Sequence, residues 1–144
     1  MIKKKNFYYS FVSFLVKKGN KNKIITIINK AFLKSSLLLN LPLYYIIAQL
    51  FLKLNTYVEI KKVKFRHNFN FIPFPISYRR RVYLISKWFV LAIKENKNSI
   101  SLSEKIVAEI LLIFNSASSS YALKLKKENE SKAILNRSNI HFRW

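Results

Sequence analysis

The sequence predicts a mainly α fold: a single helical domain of about six helices, with a two-stranded β-ribbon protruding between the third and fourth helices. Apolar residues recur at helical spacing through most of the chain. Between residues 57 and 77 the period switches to two, then returns to the helical one. The 144 residues, 51% of them hydrophobic, suffice for one core burying ~70% of the unfolded-chain surface. The whole of residues 1–144 reads as that one domain, with helices at about 7–16, 23–35, 41–54, 79–95, 102–115 and 121–138.

Phe7, Phe11, Phe14 and Leu15 mark one face of the first helix. Residues 17–23 interrupt the pattern, with Gly19, the one glycine, where a helix C-cap would want it. They form a basic loop that either is solvated or meets an anion. Ile24, Ile28, Ala31 and Phe32 mark the second helix. Asn40 fits an N-cap and Pro42 the first turn of the third helix, with Tyr44, Ile47, Ala48 and Phe51 as its core stripe.

In the ribbon, Val58 and Ile60 alternate with Glu59 and Lys61, and Val63 and Phe65 with Lys62, Lys64 and Arg66. The phase slips at Lys61 and Lys62, which predicts a bulge or twist there. Arg66, His67 and Asn68 form the expected turn, and residues 69–76 return. Pro73 and Pro75 cannot donate to a ladder, so the return strand must be an edge. Arg79, Arg80 and Arg81 open the fourth helix, whose apolar face is Ile85, Trp88, Phe89 and Ala92. Trp88 reads as core rather than a stacking platform. Ser101 and Glu104 fit a capping box before Ile106, Val107, Ile110, Leu111 and Phe114. Residues 116–120 connect to a basic, helical C-terminal stretch.

Two stretches imitate membrane signals. Residues 1–16 have a basic start and an apolar run, but lysines follow instead of a cleavage site. Residues 35–52 carry no charge, at the lower limit of a spanning length. With Ser35, Ser36, Asn40, Pro42 and Gln49 inside it, this stretch reads as a loop and a buried helix. The alternative is a basic membrane-surface protein anchored there.

Charge narrows the function. The net charge is +21, from 27 Lys and Arg against six Glu and no Asp. Such self-repulsion calls for a polyanionic partner. Without Cys, and with His67 and His141 as the two histidines, thiolate sites, metal clusters and Ser/His/Asp chemistry have no material, so no enzyme and no cofactor are expected. Glu104 and Glu109 do not pair for acid–base work. Residues 57–88 interleave Lys61, Lys62, Lys64, Arg66, Arg79, Arg80, Arg81 and Lys87 with Phe65, Phe69, Phe71, Phe74, Tyr78 and Tyr83, and Glu59 is their one acid. That pattern suits nucleic acid. Three arginines at a helix start oppose its dipole, which points to phosphate contact unless they form a solvated face. Phe69, Phe71 and Phe74 could meet bases or a protein. A DNA-binding regulator using the fourth helix would share these features.

Several spaced motifs together resemble one family. F-V-S-F-L-V-K-K-G-N-K-N (11–22) is similar to the first helix and loop of ribosomal protein seven of the small subunit. V-E-I-K-K-V-K (58–64), Pro73, R-R-V-Y-L-I-S-K-W (80–88), K-K-E-N (126–129) and N-R-S-N-I-H-F-R-W (136–144) resemble its ribbon, return strand, fourth helix and C-terminal motifs in order. H-F-R-W and A-E-I-L (108–111) look most like mitochondrial members. Arg66-His67 replaces the family's Gly-Gly at the ribbon tip, and its basic N-terminal arm is reduced here to residues 1–6.

The resemblance implies a structural, non-catalytic protein that binds the 3′ major domain of small-subunit rRNA and organises the head. It implies a place near exit-site tRNA and the mRNA exit, beside ribosomal protein eleven of the small subunit, in the mitochondrial matrix. Phe, Tyr, Met, Ile, Asn and Lys supply 74 residues against 17 Gly, Ala, Arg and Pro, the skew of AT-rich coding DNA, which fits an organelle-encoded chain. RNA contact carries over onto Lys17, Lys18, Lys21, Lys61, Lys64, Arg80, Arg81, Lys87, Lys126 and Arg143. Lys3, Lys4, Lys5, Lys62, Arg66, Arg79 and Lys127 join them on charge and placement.

Overall fold

A computed structural model describes residues 2–16, 18–65, 67–96, 100–115 and 119–143, with backbone alone at 2–6 and 65. In chain order the elements are α1 (Ile2–Leu15), α2 (Lys21–Leu39), α3 (Leu43–Leu54), β1 (Val58–Phe65), β2 (Asn68–Pro75), α4 (Tyr78–Glu95), α5 (Leu102–Phe114), α6 (Tyr121–Leu135) and a closing 3-10 helix (Arg137–Phe142). This is the predicted helical body with a hairpin between α3 and α4.

The body forms around α4, which packs on α1, α5 and α6. Its buried residues include Val82, Ile85, Trp88, Phe89, Ala92 and Ile93, the face expected from their spacing. Phe11 of α1 is fully buried between Phe89, at 5.0 Å between ring centres, and Phe32 of α2, at 6.4 Å. The capping box on α5 is present, Ser101 accepting from the Glu104 N–H and Glu104 accepting from Ser101. The Ser101 hydroxyl, donating to the Glu104 carboxyl at 2.8 Å, and then the Ser101 N–H hold that carboxyl below the usual carboxylate range.

Several boundaries differ from the sequence reading. α1 begins at Ile2, and α2 runs on to Leu39 instead of ending near 35. Ser35 does not break α2 because its buried hydroxyl bonds to the Phe32 carbonyl, at 2.9 Å. Asn40 is the left-handed C-cap of α2 (φ 52°), not an N-cap. Its N–H bonds to Leu37 and that of Leu41 to Ser36, a Schellman arrangement, and Pro42 takes the N-cap position of α3. The α3 core stripe is Ile46, Leu50 and Leu54, while Tyr44, expected inside, is 65% exposed. Ile47, Ala48 and Phe51 of the predicted stripe are only half-buried.

α1 ends at Leu15, so Gly19 does not cap it. Gly19 (φ 75°) and Lys18 (φ 51°) form a left-handed turn leading into α2. The ribbon has no bulge: β1 and β2 pair without interruption from Val58–Pro75 to Phe65–Asn68. The phase slip at Lys61–Lys62 marks instead where the ribbon leaves the body. Ile72 and Pro73, toward the base, are buried, whereas Phe69 and Phe71, toward the tip, are exposed. Asn68 already belongs to β2, which leaves Arg66, outside the described residues, and His67 as the connection.

Residues 35–52 are divided between α2 and α3, whose axes meet at 94°. Among the described residues no single helix is long and apolar enough to cross a membrane; only this bent pair passes on length and composition.

Candidate nucleic-acid interface

The orientation of the ribbon follows from its hydrogen-bond parity. The Ile76 N–H bonds to the Tyr57 carbonyl at 3.1 Å, so odd residues of β1 face β2. The backbone groups of Val58, Ile60, Lys62 and Lys64 therefore point away along the free edge of β1. Those of Phe69, Phe71, Pro73 and Pro75 point away along the free edge of β2. Both edges are blunted at the base. Asn129 of α6 donates to the Val58 carbonyl, at 2.7 Å. Asn139 donates to the Phe71 carbonyl, at 3.1 Å, and the Arg143 guanidinium to that of Pro73, at 2.7 Å from Nε. Pro73 and Pro75 have no N–H to offer, so the C-terminal stretch closes the β2 edge against further pairing.

Register then decides which side chains share a face. Lys62 and Lys64 project with Phe69 and Phe71, and the Lys62 ammonium lies 4.1 Å from the Phe69 ring centre. Lys61 projects on the opposite face over Phe74, at 5.1 Å, a ring also approached by Arg143 at 5.7 Å. Phe69 and Phe71 are 54% and 48% exposed, so cations and aromatic faces are both open to a ligand near the tip.

At the ribbon base stands the start of α4. Arg80 reaches the lone acid of the arm: Nε and Nη2 bond the two oxygens of Glu59 at 2.8 and 2.6 Å. These bonds outweigh the burial of Glu59 and hold its carboxyl below the usual range, with the charges of Arg80, Lys61 and Lys87 adding to them. The same pairing raises the pKa of Arg80. Arg81 lies over the rings of Tyr57, at 4.9 Å, and Tyr78, at 5.9 Å, and its buried Nε has no hydrogen-bond partner among the described residues. Burial raises the Tyr78 phenol. Arg80, Tyr83 and Lys87 follow each other at helical spacing along the exposed side of α4.

The predicted site residues thus fall into groups. Lys61, Lys62 and Lys64 lie on the ribbon, Arg79, Arg80 and Arg81 at the start of α4, and Lys87 at its middle. Among them Lys64, Arg79 and Lys87 are exposed, with no hydrogen-bonded or ion-pair partner among the described residues. Lys18 and Lys21 sit elsewhere. The loop before α2 borders a groove of about 480 Å³ that is also lined by Ile93 and Lys94, at the far end of α4. With ~1.5 Å of rise per residue, the 14 residue steps from Arg79 to Ile93 set the opening arginines about 21 Å along α4 from that groove, with Lys87 between. Lys127 is exposed on α6. The side chains of Lys3, Lys4, Lys5, Lys17 and Arg66 lie outside the described residues.

Lys126 and Arg143 have internal partners. The Lys126 ammonium donates to the Lys53 carbonyl at the end of α3, at 2.8 Å, and lies 3.8 Å from Glu130. Lys53 in turn donates to the carbonyls of Ile113 and Phe114 at the end of α5, at 3.0 and 2.6 Å. Lys105 reaches the Asn96 carbonyl just past α4, at 2.7 Å. Each of these lysines sits at the negative end of another helix, where a cation contributes ~0.3–1 kcal/mol. Part of the positive charge is therefore absorbed by the fold. Sequence reasoning missed Lys53 and Lys105, and it also missed Glu109. The buried Glu109 carboxylate accepts from the Ser120 hydroxyl, at 2.7 Å, and the Ala122 N–H, at 3.3 Å, and so seats the start of α6. The Ser120 partner, in the polar connector, was the available signal.

A helical body with a projecting cationic, aromatic ribbon is the scaffold of a basic binding protein rather than a catalytic cleft. The chain belongs to the family described as ribosomal protein S7p/S5e, whose profile matches residues 2–137. It is 34% identical over 73 residues to the small ribosomal subunit protein uS7 of Caldicellulosiruptor saccharolyticus, covering 51% of this chain and 45% of that protein. The small ribosomal subunit protein uS7m of Mus musculus is 34% identical over 74 residues, and that of Drosophila melanogaster 31% over 75. These matches cover 51% of this chain and 30% and 33% of those proteins, so the similarity spans less than half the length of the relatives. The family is one of structural, non-enzymatic ribosomal components.

Proposed function

We propose that this chain is a structural protein of the small ribosomal subunit, working in mitochondrial translation and gripping rRNA with its ribbon and the start of α4. The carrying observation is a set of exposed cations along one arm: Lys62 and Lys64 project with the exposed Phe69 and Phe71 toward the ribbon tip, Arg79 and Lys87 stand exposed on α4, and the arm's one acid is already neutralised by Arg80. Family membership and the similarity to proteins named uS7m support the ribosomal and mitochondrial reading. The motifs from V-E-I-K-K-V-K to H-F-R-W support its finer parts: the 3′ major domain of the rRNA, the head, a position near exit-site tRNA and mRNA, and ribosomal protein eleven of the small subunit as neighbour.

The mechanism is architectural. Basic side chains neutralise phosphates and release counterions, while the ribbon follows RNA shape because the deep groove of an A-form helix excludes side chains. Lys61, Lys62 and Arg81, already over aromatic rings, present those rings and their remaining N–H groups together. Lys18 and Lys21, at the distant start of α2, form a second contact. The test is a salt titration of rRNA affinity. Arg79→Ala and Lys64→Ala each lower the log–log slope by about 0.7–0.9. Slopes equal to wild type in both variants refute this site.

A further inference from the structure

The groove beside the start of α2 suits a ligand that is apolar and anionic at once. It holds about 480 Å³, within the ~300–1,000 Å³ of ligand sites. Ile27 of α2, Ile93 of α4 and Leu102 of α5 contribute apolar walls, and Lys23, Lys94 and Lys105 a charged rim. Among the described residues its lining carries no acid. The acids of the same helices are placed elsewhere. Glu104 is turned to Ser101 and Lys34, Glu109 is buried against Ser120, and Glu95 is exposed outside the lining. The Asn96 carbonyl holds the Lys105 ammonium in place, at 2.7 Å. Lys23 and Lys94 are exposed, with no hydrogen-bonded or ion-pair partner for their ammonium groups among the described residues.

A bare phosphate satisfies these lysines but leaves the apolar walls wet, and a neutral apolar ligand leaves the lysines unpaired. A nucleotide supplies both parts, a base with apolar faces and a phosphate for the rim. Neighbours in the stack cover the faces of a paired base, so the nucleotide that enters must be unpaired. An acidic peptide with an apolar anchor has the same two parts. Lys18 and Lys21 decide for the nucleotide: they adjoin Asn20 and Lys23 of the lining, so an RNA strand held by them passes the mouth of the groove.

We propose that this groove takes one unpaired rRNA nucleotide, its base against Ile27, Ile93 and Leu102 and its phosphates on Lys23 and Lys94. The inference rests on the ribosomal reading and names the RNA element recognised at the second contact.

The test measures small-subunit rRNA binding by the full chain. Ile27→Trp fills the groove and leaves every lysine in place, so affinity should fall about tenfold with the log–log salt slope unchanged. Leu102→Phe fills it from the opposite wall and carries the same expectation if Ile27→Trp melts early. Lys94→Gln should instead lower the slope by about 0.7–0.9. In assembled small subunits, a benzophenone amino acid at Asn20 should crosslink to one rRNA nucleotide, with a yield reduced about tenfold by the filling variants. Affinity within twofold of wild type in both filling variants, an unchanged slope in Lys94→Gln, or a crosslink to protein or lipid overturns this inference alone. A wild-type chain that neither binds rRNA nor co-sediments with small subunits overturns the ribosomal reading, and this inference with it.

Discussion

The Glu59–Arg80 pair carries a prediction that separates holding the ribbon from holding RNA. It joins β1 to the first turn of α4 through two short charge-assisted bonds, with the Glu59 side chain 15% exposed and that of Arg80 46%. Fully exposed pairs contribute ~0–1 kcal/mol, and breaking buried ones costs ~3–5 kcal/mol. This bidentate, half-covered pair should couple by about 1.5 kcal/mol. Loss of that coupling raises local opening of the ribbon base about tenfold. The assay is amide hydrogen exchange at Glu59, Lys61 and Phe74 in Glu59→Gln, Arg80→Gln and the double variant. Each single variant should exchange about tenfold faster, and the double variant no faster than either. Additive effects in the double variant would refute the strut. Acid adds a second arm. The folded pKa of Glu59 is depressed, so the pair's contribution is fully present above the ordinary glutamate value, ~4.3, and fades as pH falls through the lower folded value. Protection should hold from pH 7 to 5, drop below about pH 4 in wild type, and not drop there in Glu59→Gln.

Three other outcomes follow from the same contacts. Glu109→Ala strands the Ser120 hydroxyl and the Ala122 N–H, which should cost about 2–3 kcal/mol and lower Tm by roughly 5–10 °C by calorimetry. Arg143→Ala uncovers the Pro73 carbonyl and the β2 edge, so amides of the closing 3-10 helix should lose protection while those of α4 keep theirs. Lys53→Met removes the ammonium from the ends of α5 and should destabilise by about 1–2 kcal/mol in urea unfolding, whereas Lys127→Met, on an exposed site, should change stability by less than about 0.5 kcal/mol.

The order of elements, the face of α4 that goes inside, the α5 capping box and the edge character of β2 were all legible in the sequence, because each depends on spacing within one segment. The same holds for the cationic arm: Lys61, Lys62, Lys64 and Arg79 to Arg81 cluster in sequence before they cluster in space. Asn40 was misread because its type suits both a helix start and a left-handed helix end, and only the bonds to Leu37 and Ser36 decide between them. Tyr44 was misread because α3 offers two overlapping apolar stripes, and the packing of its neighbours chose Ile46, Leu50 and Leu54.

Composition and local period determined by themselves that this chain is helical, ribboned and cationic, since those properties reside in residues adjacent along the chain. Tertiary structure alone decided which cations remain open to a ligand. Lys53 finds its carbonyl partners 60 and 61 residues away, Lys126 its own 73 away, and Arg143 its own 70 away. Helix-end carbonyls and the β2 edge become acceptors only once distant segments meet, so a count of charges cannot separate the lysines that hold the fold from those that face outward.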